Sequence, residues 1–337
     1  MRPDHTAPLT AYRAPWWLPG GHAQTIWPAL YARRHFGPPP HFARERWPTP
    51  DGDFIDVDRA THPTHPQSPL LVLFHGLEGS SASQYAVAFA DFAASQGLAY
   101  AVPHFRGCSG ELNLAPRAYH SGDFPEIDWI LKRFAADNPQ RPLLVVGISL
   151  GGNALMRWAA EAGADAARTV RAVASVCSPL DLAAGGHAIG RGFNRQVYTR
   201  MFLRSMKPKA LAKLRQHPGL FDGDALRAAR DLFAFDNIFT APVHGFRDAE
   251  DYWARASAKP HLHRIQVPAL ALNAHNDPFV PARSMPRAGE VGTHVTLWQP
   301  VHGGHVGFAS SLRRWGMPGH VRTMPEAVGH WLMSRIA

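Results

Sequence analysis

The sequence predicts an α/β fold built on a mostly parallel central sheet with helices on both faces. Two observations carry this. Short apolar runs of strand character alternate with stretches of helical period along most of the 337 residues, the alternation that parallel sheets with crossover helices produce. In addition, the run Leu143–Ile148 passes through Gly147-Ile148-Ser149-Leu150-Gly151 directly into a helical segment that ends near Glu161. A strand, a tight turn and a helix thus follow one another without a spacer.

The elements are justified in order. Residues 1–45 read as an N-terminal extension packed on the core, because Pro15-Trp16-Trp17 and the residues up to Trp27 are too aromatic to hang free in water. Residues 46–337 read as the main domain. Phe42–Trp47 and Phe54–Arg59 are short strands separated by the turn signal Pro50-Asp51-Gly52. Leu70–Phe74 is a continuous apolar run, as expected of a strand buried on both faces. A helix over Ser83–Gln96 and a strand over Ala99–Pro103 follow. Glu126–Asp137 gathers Ile127, Ile130, Leu131 and Phe134 on one helical face. Beyond Leu143–Ile148 come strands at Val170–Val176, Ala269–Asn273 and His294–Leu297, then a closing helix over Pro325–Ile336. Between about 180 and 262 the alternation breaks into short helical runs rich in Arg, Phe and Met. This stretch is expected to be a helical lid over the strand ends.

Composition bounds the function. The chain is 45% hydrophobic and 18% charged, which suits a globular protein with a large core. Two cysteines, Cys108 and Cys177, exclude a disulfide framework. No apolar stretch resembles a secretory signal or a membrane span, so a cytoplasmic location is expected. The formal charge of +9 is concentrated between Arg191 and Arg215, where eight basic residues occur without an acidic one. The simplest reading is a solvated basic face. Peripheral contact with an anionic membrane is the alternative, and Pro208 interrupts the interfacial pattern of Met201, Phe202, Leu203, Met206, Leu211 and Leu214. No nucleic-acid partner is expected. The chain has no phosphate-binding loop, no dinucleotide fingerprint and no metal-ligand motif, so neither cofactor nor metal is expected.

Chemistry centres on Ser149. A Gly-x-Ser-x-Gly turn between a strand and a helix exposes its hydroxyl at the strand end, beside a helix N-terminus that favours developing negative charge. A serine hydroxyl needs a base, and the base needs a partner to fix its tautomer. In chain order the acid comes next. Asp277 stands just past the Ala269–Asn273 strand, before Pro278, with Asp181 as the competitor. The base comes last: His305, in Val301-His302-Gly303-Gly304-His305, is favoured over His302. An oxyanion needs donors, for which the backbone N–H groups of Leu150 and Leu77 are the candidates. His75, in the same loop as Leu77, is read as a brace, and Ser80 and Ser81 as helix caps.

These residues resemble the α/β-hydrolases, and within them the YheT-type esterase group related to the mammalian abhydrolase-domain lipases (AB hydrolase 4). The likeness rests on Gly20-Gly21-His22-Ala23-Gln24-Thr25, His75-Gly76-Leu77-Glu78-Gly79, Phe105-Arg106-Gly107-Cys108, the Ser149 turn through Asn153, Phe235-Asp236, Asn276-Asp277-Pro278-Phe279 and Gly303-Gly304-His305-Val306-Gly307-Phe308. It covers nearly the whole chain. It implies serine ester hydrolysis without a cofactor, with the nucleophile at Ser149, the acid at Asp277 and the base at His305. One departure is visible: many relatives carry two acids where this chain has Asn276-Asp277.

Two classes of function follow as expectations. The first is a serine carboxylic-ester hydrolase cleaving short- to medium-chain acyl esters through an acyl-enzyme. The second is a non-catalytic lipid- or partner-binding protein on a hydrolase scaffold.

Overall fold

The computed structural model describes residues 8–310 and 319–336; residues 1–7, which begin the segment read for a signal, lie outside them. Eight strands form one sheet: β1 (Phe42–Pro48), β2 (Phe54–Ala60), β3 (Leu70–Phe74), β4 (Ala99–Pro103), β5 (Leu143–Ile148), β6 (Ala172–Val176), β7 (Ala269–Leu272) and β8 (Val295–Trp298). Their spatial order is β1-β2-β4-β3-β5-β6-β7-β8. β2 runs antiparallel to both β1 and β4; β4, β3, β5, β6, β7 and β8 pair in parallel.

The sheet is covered on both faces, and strand alternation decides which side chain goes where. Leu70, Val72 and Phe74 pack with Ile127, Ile130 and Phe134 of α3 (Phe124–Asp137) and with Leu155 and Trp158 of α4 (Leu150–Ala162). Leu71 and Leu73 face the other way, against Phe89 and Phe92 of α2 (Gln84–Ser95) and Val328 and Leu332 of α8 (Thr323–Met333). The edge strand β1 carries Arg44 and Arg46, whose guanidinium groups pair with Asp58 and Asp56 of β2 at 2.7 and 2.8 Å. Charges on an edge strand discourage pairing with another chain.

The N-terminal segment is more ordered than its composition suggested. Residues Gly20–Leu30 form a helix, α1, with Pro28 inside it. The boundary expected at residue 45 falls within β1, because Ala43, Arg44 and Glu45 are already paired with Arg59, Asp58 and Val57. Between β6 and β7 the chain makes only helical elements. The main ones are α5 (Leu182–Ile189), α6 (Arg200–Gln216) and α7 (Ala249–Ala256). Among the described residues no helix is long and apolar enough to cross a membrane.

The strand order reverses about β3: β4 lies on one side of it and β5 on the other. In an open parallel sheet, the loops leaving the carboxyl ends of such strands diverge and leave a crevice. His75-Gly76-Leu77 leaves β3 there, and Ser149 leaves β5.

Candidate active site

Ser149 occupies a left-handed backbone conformation, φ 52° and ψ −117°. Such a conformation is strained for a residue with a Cβ and persists only where its surroundings enforce it. Here they do. The Ser149 N–H donates to the Val176 carbonyl at 2.8 Å, and α4 begins at the next residue. The flanking glycines are required by space. A Cβ on Gly147 would stand 2.5 Å from the Gly151 carbonyl oxygen, and one on Gly151 would stand 2.4 Å from that of His75.

Three side chains drawn from distant parts of the chain meet at this turn. Ser149 Oγ lies 3.0 Å from His305 Nε2, and His305 Nδ1 lies 2.8 Å from Asp277 Oδ2. The carboxylate of Asp277 is fully withdrawn from solvent and the imidazole nearly so. Its second oxygen, Oδ1, accepts the N–H groups of Phe279 at 2.8 Å and Val280 at 3.3 Å. Asp277 therefore opens a turn and orients an imidazole at once. Neither competitor joins the series: Asp181 caps α5 by accepting the Ala184 N–H, and the buried Nδ1 of His302 meets no hydrogen-bond partner among the described residues.

The loop after β3 leaves one N–H over. Gly76 N–H donates to the Tyr85 hydroxyl at 3.0 Å, Glu78 N–H to the Tyr119 hydroxyl at 2.9 Å, and Gly79 N–H to the Gly76 carbonyl at 2.9 Å. Neither the Leu77 N–H nor the Leu150 N–H donates to any described residue, and both residues line the same cavity as Ser149. His75 is a brace, as expected. Its Nδ1–H donates to the Gly76 carbonyl, its Nε2 accepts the Phe105 N–H, and burial lowers its pKa to about 3, so it stays neutral. Ser80 and Ser81 do not cap α2. Ser81 donates to Asp58, and the Ser80 N–H is held by Ser83 Oγ.

What holds His305 in place was not foreseen from the sequence. Gln24 Oε1 accepts the Gly303 N–H at 2.9 Å and the Asn276 amide at 2.8 Å, while Thr25 Oγ1 accepts the His305 N–H at 2.9 Å. Asn276 Oδ1 in turn accepts the Gly304 N–H at 3.0 Å. The side chain of Asn276 thus donates and accepts at once, which an ionised carboxylate there could not do. The motif Gly20–Thr25 was visible, but its partners lie more than 250 residues away and no local pattern points to them.

A cavity opens beside Ser149, with about 1180 Å³ free of protein atoms, counting the part open to solvent. Its walls are largely apolar, from Leu182, Ile189, Phe202, Met206, Phe235 and Phe239. Every one of these six belongs to the stretch between β6 and β7. The cavity is also lined by half-buried Asp236, which accepts from Trp253 Nε1 at 2.9 Å and from the Thr240 hydroxyl at 2.6 Å. Burial outweighs these two bonds and raises the Asp236 pKa to about 6. Cys108 is a buried thiol whose pKa burial pushes up to about 12, so it is not a thiolate nucleophile at neutral pH.

The basic stretch divides between two environments. Lys213 is buried, with Nζ donating to the Ala115 carbonyl at 2.9 Å and to that of Asn113. Lys209 reaches the cavity. Arg191, Arg195, Arg200 and Arg204 pair with no carboxylate among the described residues.

Residues 69–311 match the family model described as the alpha/beta hydrolase fold. The chain belongs to the α/β-hydrolase family. Within the family it is 39% identical over 290 residues to YheT of Escherichia coli (strain K12), covering 85% of this chain and 84% of that protein. It is 25% identical over 321 residues to phospholipase ABHD3 of Homo sapiens, covering 92% and 76%. A monoacylglycerol lipase of Saccharomyces cerevisiae is 27% identical over 278 residues, covering 79% and 60%. Among solved structures, the Pyrococcus furiosus esterase Pf2001 superposes with a TM-score of 0.55 at 12% identity, covering 88% of this chain and 92% of that one. At that identity the likeness speaks for the α/β-hydrolase fold alone.

Proposed function

We propose that this α/β-hydrolase is a serine carboxylic-ester hydrolase that cleaves short- to medium-chain acyl esters through an acyl-enzyme. Its relatives named as phospholipase and monoacylglycerol lipase act on acyl esters. The observation that carries the reading is the Ser149–His305–Asp277 hydrogen-bonded series beside two uncommitted backbone N–H groups.

In this reading His305 Nε2 takes the Ser149 proton as Oγ attacks the ester carbonyl. Asp277 keeps Nδ1 protonated, so Nε2 is the basic nitrogen, and it stabilises the imidazolium that forms. The N–H groups of Leu77 and Leu150 hold the oxyanion of the tetrahedral intermediate. His305 then returns its proton to the departing alkoxide. A water molecule, activated by the same imidazole, releases the acid and restores the serine. The cavity under α5 and α6, a lid in this reading, takes the acyl chain. Its apolar walls favour burying methylenes, each worth about 0.8 kcal/mol.

Replacing Ser149 with Ala tests the reading. Hydrolysis of a p-nitrophenyl ester is expected to fall by several orders of magnitude, and fluorophosphonate labelling to vanish. A wild-type protein that does not label, yet binds lipid, would favour a non-catalytic binder. Retained turnover in the purified Ser149→Ala variant would mean another nucleophile.

A second reading concerns delivery of the substrate. Phe193, Val197 and Met201 are 52%, 36% and 55% exposed and succeed each other at helical spacing, beside Arg200 and Arg204, which pair with no carboxylate among the described residues. This outer face of the lid has the composition of a surface that rests on anionic lipid. Its inner face lines the cavity. Liposomes containing phosphatidylserine are expected to co-float the protein at low salt and less so at high salt. No co-flotation at low salt would remove the membrane contact and leave the hydrolase untouched.

A further inference from the structure

An ion pair inside the cavity joins the lid to the loop that carries the Leu77 N–H. Glu78 follows Leu77 directly and has a φ of 58°, a conformation costly for a side-chain-bearing residue. Three contacts hold it there. The Tyr119 hydroxyl accepts the Glu78 N–H at 2.9 Å and donates to Glu78 Oε1 at 3.0 Å. Lys209 Nζ sits 2.9 Å from Oε2, as an ion pair rather than an aligned hydrogen bond. Tyr119 is itself fixed by stacking on Phe105, with ring centroids 5.3 Å apart and planes within 7°.

Lys209 comes from α6, the lid helix, whereas the other members of the cluster belong to the sheet and its loops. The Glu78 side chain is 10% exposed and that of Lys209 38%. A nearly buried carboxylate beside an apolar cavity needs a cation, and among the described residues Lys209 is the one that reaches it. The peptide plane that presents the Leu77 N–H therefore stands next to a strained residue whose side chain the lid holds.

We propose that Lys209 is a positioning residue for ester hydrolysis: acting through Glu78, it aims the Leu77 N–H at the oxyanion. This rests on the serine-hydrolase reading above and deepens it. Lys209 itself touches no reacting atom. It makes the oxyanion donor dependent on the lid being seated, so that the donor pair is complete only when α6 covers the cavity. An error of about 1 Å in the placement of one reacting group can cost about 100-fold in rate, so the effect belongs in kcat.

The test compares wild type, Lys209→Met, Lys209→Arg, Glu78→Gln and the Lys209→Met/Glu78→Gln double variant on p-nitrophenyl acetate, butyrate and octanoate. Lys209→Met keeps the length and loses the charge. Its kcat is expected to fall by about 10- to 100-fold on all three esters, with KM within about twofold. Lys209→Arg is expected to keep kcat within about threefold. Glu78→Gln should match Lys209→Met, and the double variant should lose no more than either single one, because both act through one path. Wild-type kcat in Lys209→Met, or a loss confined to KM or to one chain length, overturns the proposal. Wild-type protein that neither labels with fluorophosphonate nor hydrolyses any ester refutes the hydrolase reading itself, and the positioning role with it.

Discussion

Gln24 and Gly303 are separated by 279 positions in the chain, yet Gln24 Oε1 accepts the Gly303 N–H at 2.9 Å. The amide of Gln24 also accepts from Asn276 and donates to the Leu18 carbonyl. One buried side chain thus ties α1 to both the loop that carries Asp277 and the loop that carries His305.

Replacing Gln24 with Ala is expected to act on stability and turnover together. It leaves the buried Gly303 N–H without its acceptor, at a cost of about 1–3 kcal/mol, and removes the acceptor of the half-buried Asn276 amide as well. The His305 loop loses one of its two ties to α1, and kcat on p-nitrophenyl butyrate should fall by about tenfold or more. Denaturant titration and steady-state kinetics on one preparation check both. Unchanged kcat would mean that Thr25 alone suffices to hold the loop.

Asp277→Asn probes the proposed acid. An amide in its place favours the wrong tautomer of His305, and kcat is expected to drop by on the order of 10³–10⁴. In the proposed mechanism Ser149, His305 and Asp277 act as a unit, so combining Asp277→Asn with Ser149→Ala should cost little beyond Ser149→Ala alone. A drop of less than tenfold at neutral pH would remove Asp277 from the mechanism. Its turn would remain intact, since an Asn Oδ1 can still accept from Phe279 and Val280.

Met206 lines the cavity from α6. A Met206→Trp substitution should fill part of the space assigned to the acyl chain. KM for p-nitrophenyl octanoate is expected to rise at least tenfold relative to wild type, while acetate hydrolysis changes less than about twofold. Equal effects on both esters would place the acyl chain elsewhere.

Asp236 supplies a pH dependence. Burial raises its pKa to about 6 in the folded protein, against an ordinary carboxyl value near 4. The folded state therefore holds this proton more tightly than the unfolded chain. Its contribution to stability is complete below the unfolded pKa and is lost as pH rises through 6. Asp236→Asn keeps an acceptor for Trp253 Nε1 and offers the Thr240 hydroxyl an amide donor in place of the carboxylate acceptor, but cannot ionise. Relative to wild type, the variant should gain about 2 kcal/mol between pH 4.5 and 7.5. Urea titrations at several pH values across that range measure the difference. Parallel curves for the two proteins would show that Asp236 is not the group responsible.

Much of this fold was legible locally. β3, β4 and β5 carry their observed bounds as apolar runs, because a strand covered on both faces needs apolar side chains at every position. The Ser149 turn was legible for a related reason: only glycine fits at 147 and 151, where a Cβ would strike backbone oxygen. Asp277 and His305 could be nominated from strand ends and chain order. By contrast, composition marks the segment that holds α1 as a packed extension and assigns it no secondary structure. Its role in holding the His305 loop could not be read at all.

By itself the sequence determined the order of strands and helices, the sharp turn at Ser149 and the short set of residues able to serve it. These follow from steric and hydrophobic rules that act within a few neighbouring positions. Only the tertiary structure decided which N–H remains uncommitted after Gly76, Glu78 and Gly79 have found acceptors. It also turned Lys209 and Lys213 inward while Arg200 and Arg204 stayed in solvent, and it closed Gln24 onto Gly303. Hydrogen bonds and ion pairs of this kind depend on which distant surfaces meet when the sheet is covered, and no local pattern along the chain encodes that meeting.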